Sequence, residues 1–600
     1  MLKLKYKNSF GGYFNFYYSV IGNKIYSYIL INILIGLLDG IGLAMFVPLL
    51  LLSSGNNTKV SNSQVDSNTM HLFNQLMGNL NLQITIISVL IIIIIMFSIK
   101  GLTRYIQVRY FAKMRLLFIT KLRKDIVEDL QNLSYQGFLK LDSGRIQNIL
   151  IGEVSRLYNT MTNYFNCIQY SAMLITYLCL AFLSNYQFSI IIIILSGSSL
   201  LLYRRFFSKT KNASIQISEK GDYFNSYLIQ SINHFKYLKA TNYFKKYSVK
   251  LNNVINETEA LNFKIGNYYA IIEGLKEPIA IIIICSIIFL QIHILNLPLQ
   301  GIMVCLLLFY RSLIQFTLLQ SGWQMFTQNI GSMNSIANIS SELKKQKESN
   351  SISNSETSIK FIELKDIQIN YSNNTILSKI NLKIFANQTI AFVGKSGVGK
   401  TSLINVIMGL FPPSQGEVFI NGTNLQKFDL NEYRNKIGYI SQDVVIFNDS
   451  LFNNITFFDE PTTGNLVKFW KVVDMVSLTC FIQDLQEKEN SILGDNGILI
   501  SGGQKQRISI ARELYKEPEL LILDEATSSL DSETESVIKE SISRLKGQTT
   551  ILIIAHRLST IKDADAIYLL NNKKIILSGD FETLIQESIM FRDMVKSQAF

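Results

Sequence analysis

The chain has 600 residues, 48% of them hydrophobic, and its mean hydropathy of +0.22 excludes an ordinary soluble enzyme. Its formal net charge is +12, but the basic residues flank apolar segments and form no separate basic domain, which argues against a nucleic-acid partner. The five cysteines include no CxxC pair, so neither a disulfide framework nor a cysteine metal site is indicated.

Six apolar segments before about residue 330 are candidates for membrane-spanning helices. A spanning helix needs about 20 mostly apolar residues. The candidates are Tyr28 to Leu52, Ile84 to Tyr105, Cys167 to Leu183, Phe188 to Tyr203, Ile279 to Ile294 and Ile302 to Phe326. We therefore predict a cytoplasmic N-terminus over residues 1–25, without a cleavable signal peptide, and a six-span transmembrane domain over residues 26–339.

Lysine and arginine are unevenly distributed between the connections that join these segments. The stretches Lys100 to Arg156 and Arg204 to Lys264 are strongly basic, whereas Ser53 to Leu82 carries only the charges of Lys59 and Asp66. The positive-inside rule places the basic stretches, the N-terminus and the C-terminal third in the cytoplasm. High Asn, Ile and Lys usage is typical of an AT-rich bacterial genome. We therefore expect a multi-pass protein of the bacterial plasma (inner) membrane.

Charged residues also occur within or beside the candidate spans, where an unpaired charge is costly. Asp39 in the first span and Arg311 in the sixth are candidates to pair with each other. Arg311, with Arg104 and Arg109, is also a candidate to meet an anionic headgroup. A cytoplasmic extension of the second span accounts for Arg104 and Arg109 as well. A further set is spaced to neutralise itself on one helix: Glu273, Lys276 and Glu277.

The composition changes after the sixth candidate span. Ser340 to Ser358 consists of Ser, Lys, Glu and Asn with almost no apolar residue, which predicts a solvated linker over residues 340–358. Residues 359–600 then have the length and mixed composition of a folded domain with a sizeable core.

A phosphate-binding loop lies near the start of this second domain. The apolar run Thr389–Val393 predicts a buried strand, and the loop follows it as Gly394, Lys395, Ser396, Gly397, Val398, Gly399, Lys400, Thr401 and Ser402. Glycines let the backbone wrap closely around phosphates, with N–H groups pointing inward at a helix N-terminus. Lys400 is placed to reach the β- and γ-phosphates of ATP, and the Thr401 hydroxyl is placed to bind Mg²⁺.

Two later apolar runs end in residues suited to phosphate hydrolysis. The run from Leu520 ends at Asp524, which is placed to hold Mg²⁺, and Glu525 is placed to polarise the attacking water. The run from Thr550 predicts a parallel strand that brings His556 near the γ-phosphate. Taken singly, a histidine after a buried strand is usually structural, and an Asp-Glu pair is usually a solvated turn.

The order of the motifs along the chain carries a family resemblance. Gln442 and the run Ser501, Gly502, Gly503, Gln504 lie between the phosphate loop and Asp524, and Ser529-Leu530-Asp531 follows Glu525. This set resembles the ATP-binding cassette (ABC) transporter family, in its exporter-type half-transporter form. The resemblance implies an all-α six-helix transmembrane domain followed by an α/β P-loop NTPase cassette domain.

The resemblance also implies roles for single residues. It makes four residues catalytic: Lys400, Gln442, Glu525 and His556. It implies three ligands for Mg²⁺: Thr401, Gln442 and Asp524. Tyr371 would stack on adenine, the alternative being a half-buried strand aromatic, and Asp531 would belong to the loop that follows the catalytic glutamate.

The resemblance further implies a second half-transporter. In the family, the run Ser501–Gln504 caps the γ-phosphate of ATP held by the partner's phosphate loop. A chain with one cassette therefore needs a partner, most simply a second copy in a homodimer, with a heterodimer as the alternative. Two cytoplasmic stretches, Leu133 to Ile146 and Gly221 to Tyr247, look like the coupling regions through which such cassettes act on the spans.

The implied activity is ATP-driven export or lipid flipping. Local similarity of the first span and of Tyr310-Arg311 to bacterial lipid-linked oligosaccharide flippases favours an amphipathic or lipid-linked, glycolipid-like substrate, moved outward from the inner leaflet or cytoplasm. A peptide or protein exporter of the type I secretion kind is the alternative. An ATP-gated channel or regulator is disfavoured because every catalytic position carries the active residue type.

Overall fold

The computed structural model describes residues 9–45, 86–184, 186–293, 303–348, 358–371, 374–525, 532–554 and 561–598. The chain divides into two compact units. The first consists of Met1–Leu133 and Gly137–Lys347, and the second consists of Ser134–Gln136 and Glu348–Phe600. This division falls inside the segment that composition predicts to be a linker.

The described part of the chain before residue 348 is almost entirely helical. Its α-helices are α1 (Phe10–Ile21), α2 (Lys24–Ala44), α3 (Ile86–Gln131), α4 (Tyr135–Phe138), α5 (Ser143–Asn148), α6 (Val154–Ser184), α7 (Tyr186–Asn233), α8 (Phe235–Ala240), α9 (Phe244–His293), α10 (Met303–Asn329) and α11 (Gly331–Lys345). One turn of π-helix, Ile149–Glu153, joins α5 to α6.

Three helical stretches in the described residues are long and apolar enough to cross a membrane: Lys24–Gly42, Ile86–Gln131 and Ser143–Phe182. They contain most of the described residues of the first three predicted spans. Residues 46–52 and 84–85 of those spans lie outside the described residues. The other three predicted spans fall on α7, α9 and α10, where many side chains, and residues 294 and 302, are not described. The count of six stays a prediction.

The long helices exceed the thickness of a bilayer. Helices α3, α7 and α9 contain 46, 48 and 50 residues. At 1.5 Å per residue each is about 70 Å long, whereas the hydrocarbon core of a bilayer is about 30 Å thick. Their basic parts therefore extend beyond the membrane, as the two long basic stretches predict. The short helices α4 and α8 lie in the two stretches that look like coupling regions.

An aromatic core fixes the first helix against the bundle. Tyr13, Phe16 and Tyr17 have the i, i+3, i+4 spacing of one helical face, and all three are buried. The Tyr17 ring lies 5.4 Å from that of Phe118 on α3 and 5.2 Å from that of Tyr164 on α6. Because burying one large apolar side chain stabilises a fold by about 1.5–3 kcal/mol, this face holds α1 firmly in place.

The last helix of the first unit runs six residues into the predicted linker. Helix α11 ends at Lys345, and Ser340 and Leu343 are buried. Ile336, Ile339 and Leu343 follow one another at three and four residues, which is the stripe of an amphipathic helix. Composition alone missed this stripe because its last apolar residue stands among Ser, Lys and Glu.

The second unit contains two sheets. The first has the order β2-β1-β4-β5 and the second β10-β9-β3-β8-β7-β6. The strands are β1 (Phe361–Tyr371), β2 (Asn374–Phe385), β3 (Thr389–Val393), β4 (Gln415–Ile420), β5 (Thr423–Asn424), β6 (Ile437–Ile440), β7 (Leu520–Asp524), β8 (Thr550–Ile554), β9 (Ala566–Asn571) and β10 (Lys574–Gly579). The helices are α12 (Lys400–Ile407), α13 (Leu430–Asn435), α14 (Leu451–Thr456), α15 (Thr463–Met475), α16 (Thr479–Gln483), α17 (Gly502–Tyr515), α18 (Ser532–Ser543), α19 (Phe581–Glu587) and α20 (Ile589–Gln598).

The parallel strands of the larger sheet position the candidate site. Strands β3, β7 and β8 are buried along their whole length, which explains their unbroken apolar sequences. Thr389 pairs with Ile551, and Leu520 pairs with both Thr550 and Ile437. The strands therefore end together, and the segments after β3, β6, β7 and β8 leave the same edge of the sheet. In open α/β sheets that edge is where ligands bind.

Candidate functional site

The phosphate loop lies between β3 and α12 and depends on two glycines. Gly394 follows β3 with φ 158°, and a Cβ there would lie 2.4 Å from the carbonyl oxygen of Leu570. Gly399 adopts a left-handed φ of 104° immediately before α12 begins at Lys400. A side chain at Gly394 would clash with the backbone of Leu570. At Gly399 any other residue would be forced into a strained left-handed conformation. The loop therefore presents its N–H groups at the N-terminus of α12, an arrangement suited to anions.

Lys400 is the buried cation of this loop. Lys400 is only 6% exposed. Its Nζ donates to the carbonyl oxygens of Gly394 at 2.8 Å and Lys395 at 3.2 Å. Burial lowers the pKa of Lys400, while the nearby charges of Glu525 and Asp524 raise it. The ammonium is thus held inside the loop, close to both carboxylates that the sequence predicts for hydrolysis.

Asp524 ends β7 beside the phosphate loop. Burial raises the pKa of this carboxyl group, and hydrogen bonds from the Tyr439 and Thr401 hydroxyls oppose the shift. The Tyr439 hydroxyl donates to Oδ2 of Asp524 at 3.2 Å. The structure therefore brings Thr401 and Asp524, two of the three predicted Mg²⁺ ligands, into contact.

Glu525 and Gln442 meet at the same edge. Glu525 adopts a left-handed φ of 52°, uncommon for a non-glycine residue, and its N–H donates to the Ile554 carbonyl at 3.0 Å. Nε2 of Gln442 donates to Oε2 of Glu525 at 2.8 Å. Unusual backbone conformations of this kind cluster at functional sites, where the surrounding structure holds them. The turn after β7 thus directs the carboxylate of Glu525 toward the loop that follows β6.

The run Ser501–Gln504 begins α17 and is capped by its own side chains. Ser501 Oγ accepts the N–H of Gln504 at 3.3 Å, and Gln504 Oε1 accepts the N–H of Ser501 at 2.8 Å. This reciprocal capping box fixes the start of a 14-residue helix. Ser501 and Gly502 are exposed, and nothing lies within 4 Å of a Cβ built on Gly502. A ligand can therefore approach this helix N-terminus from outside.

Tyr371 is the last residue of β1 and is 38% exposed. Its ring makes an edge contact with Phe411 at 5.5 Å between centroids. The ring is therefore only partly covered by the residues that the structure describes. The other two predicted residues, Asp531 and His556, lie outside the described residues.

Tyr439 is a site residue that sequence reasoning missed. It lies on β6, and its hydroxyl reaches Asp524 on the neighbouring strand because Tyr439 pairs with Ile522. Burial raises the pKa of Tyr439, so the phenol stays protonated and donates. The one sequence signal was its position three residues before Gln442. That signal becomes informative only when the register between β6 and β7 is known.

The charged residues of the first unit are paired differently from the sequence expectation. Asp39 is buried, and its carboxylate accepts hydrogen bonds from Lys100 on α3 and Tyr177 on α6. Among the described residues its ion-pair partner is therefore Lys100, not Arg311, which corrects the predicted pairing. The physical reason is helix packing, since α2 lies directly against α3 and places Lys100 beside Asp39.

A second polar group in this unit agrees with its sequence spacing. Lys276 donates to both carboxylate oxygens of Glu273, at 2.8 and 2.9 Å, and Ser321 on α10 donates to Oε1 at 2.9 Å. The pairing of Glu273 with Lys276 is thus confirmed. Arg104 and Arg109 are exposed on α3, and Arg311 is partly buried on α10.

Two family models match the chain over successive regions. The model for the ABC transporter transmembrane region matches residues 29–318, and the model for the ABC transporter matches residues 377–528. The heterocyst differentiation ATP-binding protein HepA of Nostoc sp. is 28% identical over 487 residues, which are 80% of this chain and 79% of that protein.

Other relatives are more alike over a shorter stretch. The ATP-dependent lipid A-core flippase of Alkalilimnicola ehrlichii is 41% identical over 219 residues, covering 36% of this chain and 37% of the flippase. The flippase of the same description from Wigglesworthia glossinidia brevipalpis is 38% identical over 239 residues, covering 40% of this chain and 41% of the flippase. In these alignments the chain spans about two fifths of the flippases' length.

A solved structure described as a bacterial Atm1-family ABC exporter with ATP bound has the same fold. Its TM-score is 0.80, and the match covers 97% of this chain and 99% of that one at 19% sequence identity. The two family regions follow each other in the order that the motifs predict. The chain therefore belongs to the ABC transporter family, as a half-transporter of the exporter fold that couples ATP hydrolysis to transport across a membrane.

Proposed function

We propose that the chain is an ATP-hydrolysing exporter or flippase that works as a dimer and moves an amphipathic or lipid-linked molecule outward. One observation carries the proposal. Lys400, Asp524 and Glu525 meet at the strand ends of the larger sheet, where Gln442 contacts Glu525 and Lys400 is held by the phosphate loop. That arrangement combines a phosphate cradle, a buried cation and a carboxylate suited to activate water.

Each residue has a task that follows from its position. The Lys400 ammonium exchanges the carbonyls of its own loop for the β- and γ-phosphate oxygens of ATP. Glu525 accepts a hydrogen bond from the attacking water and orients it, and Gln442 holds the Glu525 carboxylate in place. His556, which follows β8 in the sequence, is assigned to support the γ-phosphate. Tyr371 stacks on the adenine ring.

The oxygen donors at this edge fit a magnesium ion. Asp524 and Thr401 are already hydrogen-bonded to each other, and Gln442 donates to Glu525 through its nitrogen, which leaves its amide oxygen as a ligand. A carboxylate, a hydroxyl and an amide are hard oxygen ligands, and Mg²⁺ is usually held by one or two carboxylates together with substrate phosphates. When bound, the ion neutralises charge that develops on the phosphates.

The exposed start of α17 supports the dimer. Ser501 and Gly502 are exposed at this helix start, and the neighbouring side chains of Ile498 and Leu499 are 78% and 71% exposed. An anion-binding helix end beside exposed apolar side chains suits the γ-phosphate of ATP held by a second chain. We infer a homodimer with two equal sites, in the bacterial inner membrane with both cassettes in the cytoplasm.

The substrate class is supported by the relatives and by the charges of the first unit. The ATP-dependent lipid A-core flippases that this chain resembles are named for a lipid. Arg104 and Arg109 are exposed on α3, within and just after the end of the second predicted span. Exposed cations at this depth suit an anionic or phosphorylated headgroup.

The test is the ATPase rate of the purified chain in lipid nanodiscs. Lipid-linked glycans, lipopolysaccharide-type lipids and peptides are added separately. We expect a lipid-linked molecule to stimulate hydrolysis, and the stimulation to disappear in Glu525→Gln. Stimulation by peptides alone would contradict the lipid substrate and favour the peptide exporter.

A further inference from the structure

The segment that leads from the last helix of the first unit to the cassette is held at both ends. Composition predicts a solvated linker from Ser340, yet the chain from Glu342 to Glu348 carries two arginine–carboxylate forks. One fork involves Arg145 and Glu342, and the other involves Arg434 and Glu348. Each fork lies within one of the two units, and only five residues of chain separate the two glutamates.

The first fork fixes the end of α11. Nη1 of Arg145 donates to Oε2 of Glu342 at 2.8 Å, and Nη2 donates to Oε1 at 3.1 Å. Nε of Arg145 lies 3.6 Å from Asp222 on α7. Asp142 caps the short helix α5 that carries Arg145. The last two turns of α11 are therefore tied to α5 and α7, and a backbone bridge between Leu133 and Lys347 extends the order beyond Lys345.

The second fork is less exposed and reaches the phosphate-loop helix. Nη1 and Nη2 of Arg434 donate to the two carboxylate oxygens of Glu348 at 2.9 and 2.6 Å. The side chains of Arg434 and Glu348 are 26% and 15% exposed. Arg434 also donates to the carbonyl oxygens of Gly409 at 2.7 Å and Met408 at 3.3 Å.

Those carbonyls terminate α12, the helix that begins at Lys400. The Tyr433 hydroxyl donates to a third carbonyl there, that of Ile407, at 2.8 Å. Helix α12 has eight residues, so its two ends are about 12 Å apart. One guanidinium therefore binds the end of the phosphate-loop helix and the first residue of the cassette unit at the same time.

We propose that Arg434 and Glu348 are positioning residues that pass nucleotide-driven movement of α12 along the chain to α11 and the last membrane helix. The inference rests on the nucleotide site proposed above. Phosphate binding withdraws Lys400 from the carbonyls of Gly394 and Lys395 at the start of α12, and the helix end moves with it. Because a bidentate pair fixes orientation as well as distance, Glu348 follows Arg434.

The two forks explain why the segment from Glu342 to Glu348 transmits a displacement that a flexible linker would absorb. A solvated Ser- and Asn-rich chain takes up displacement by changing its own conformation. The chain between Glu342 and Glu348 has little conformational freedom. The Gln346 N–H donates to the Leu343 carbonyl at 3.2 Å, and a backbone bridge joins Lys347 to Leu133. A displacement of Glu348 therefore reaches α11.

Hydrogen–deuterium exchange on the full-length chain in nanodiscs tests this route. The parent is Glu525→Gln, which holds ATP without hydrolysing it, and MgATP is the probe. A peptide over residues 393–407 reports nucleotide binding, and a peptide over residues 331–345 reports α11. In the parent we expect ATP to change exchange in both peptides.

Adding Glu348→Gln keeps the size of the side chain and removes its charge. We expect full protection of residues 393–407, and at least a threefold smaller response in residues 331–345. Arg434→Lys keeps the charge but loses the fork, and should give an intermediate response. Glu540→Gln is the matched control, since it removes one member of the exposed Arg544–Glu540 pair in the same unit. It should leave both responses unchanged.

Two results would overturn the route. One is an α11 response of full size in Glu348→Gln, and the other is a parent in which α11 does not respond although residues 393–407 do. Failure of residues 393–407 to respond in the parent would instead overturn the nucleotide site, and the route with it. Protection of those residues in Glu348→Gln also shows that the variant is folded.

Discussion

The two units use polar side chains in opposite ways. In the cassette, Lys400, Asp524 and Glu525 lie together at one edge of a sheet, close enough for their charges to act on one another. In the membrane unit, Asp39, Lys100 and Tyr177 satisfy one another. From this difference we expect the unbalanced group of charges to act on a bound phosphate, and the balanced group within the bundle to act in packing.

The largest expected effect is on hydrolysis. Glu525→Gln keeps the shape of the side chain and its contact with Gln442 but removes the carboxylate that orients water. We expect the ATPase rate to fall by about 10²–10⁴-fold, with ATP affinity within a few-fold of wild type, measured by phosphate release and by equilibrium binding. A hydrolysis rate close to wild type would show that the converging charges do not perform the chemistry.

The membrane unit should respond through stability. Asp39→Asn leaves Lys100 without its counter-charge, and breaking a buried pair costs about 3–5 kcal/mol. Since the Lys100 side chain is 27% exposed, we expect the lower end of that range. Reversible unfolding in mixed micelles measures it.

Two controls sharpen this prediction. Asp39→Asn with Lys100→Met removes both charges and should recover most of the loss. Glu257→Gln disrupts the exposed Lys220–Glu257 pair and should cost no more than about 1 kcal/mol. If Asp39→Asn were as mild as Glu257→Gln, the trio would not be a packing element.

Adenine stacking gives a smaller effect on the cassette. Tyr371→Ala removes the ring, and loss of an aromatic pair costs about 0.5–1.5 kcal/mol, which corresponds to roughly a 2–10-fold weaker ATP affinity. Tyr371→Phe keeps the ring and should bind like wild type. Isothermal titration with ATP compares them, and equal weakening in both variants would contradict stacking.

The last expected effect depends on pH. Burial raises the pKa of Asp222 to about 6, partly opposed by the Asn148 hydrogen bond and the Arg145 charge. The folded chain therefore binds this proton more tightly than the unfolded chain does. Its contribution to stability is most favourable below pH ~4 and declines as pH rises from ~4 to ~6. Asp222→Asn should remove that part of the pH dependence of the thermal midpoint, and an unchanged profile would contradict the assignment.

The convergence of the described cassette residues could be predicted from sequence because short motifs place them locally, while their roles stay predictions. Gly394–Thr401 follows a buried strand, and Asp524 ends one with Glu525 directly after it. Parallel strands bring their ends together at one edge of the sheet. Family and fold were confirmed for the same reason. The Tyr439–Asp524 hydrogen bond was missed because it depends on the register of two strands that are 85 residues apart at this contact.

The membrane unit was less predictable because its contacts depend on helix packing. Asp39 and Lys100 are 61 residues apart, and both Lys100 and Arg311 were available as partners on charge alone. The forks at Glu342 and Glu348 were hidden in a segment whose composition predicts solvent exposure. In each case the deciding quantity is which helix faces lie together, and apolar periodicity does not specify that.

The central claim is that each ATP site is shared between two chains. Lys400→Ala disables the phosphate loop, and Ser501→Arg blocks the start of α17. A mixed dimer, purified through two different tags, contains one chain with each substitution. If the phosphate loop of one chain works with the α17 of the other, this dimer keeps one intact site. We predict that this mixed dimer hydrolyses ATP at a rate well above that of either homodimeric variant. A rate no higher than the mean of the two variants would contradict the shared site.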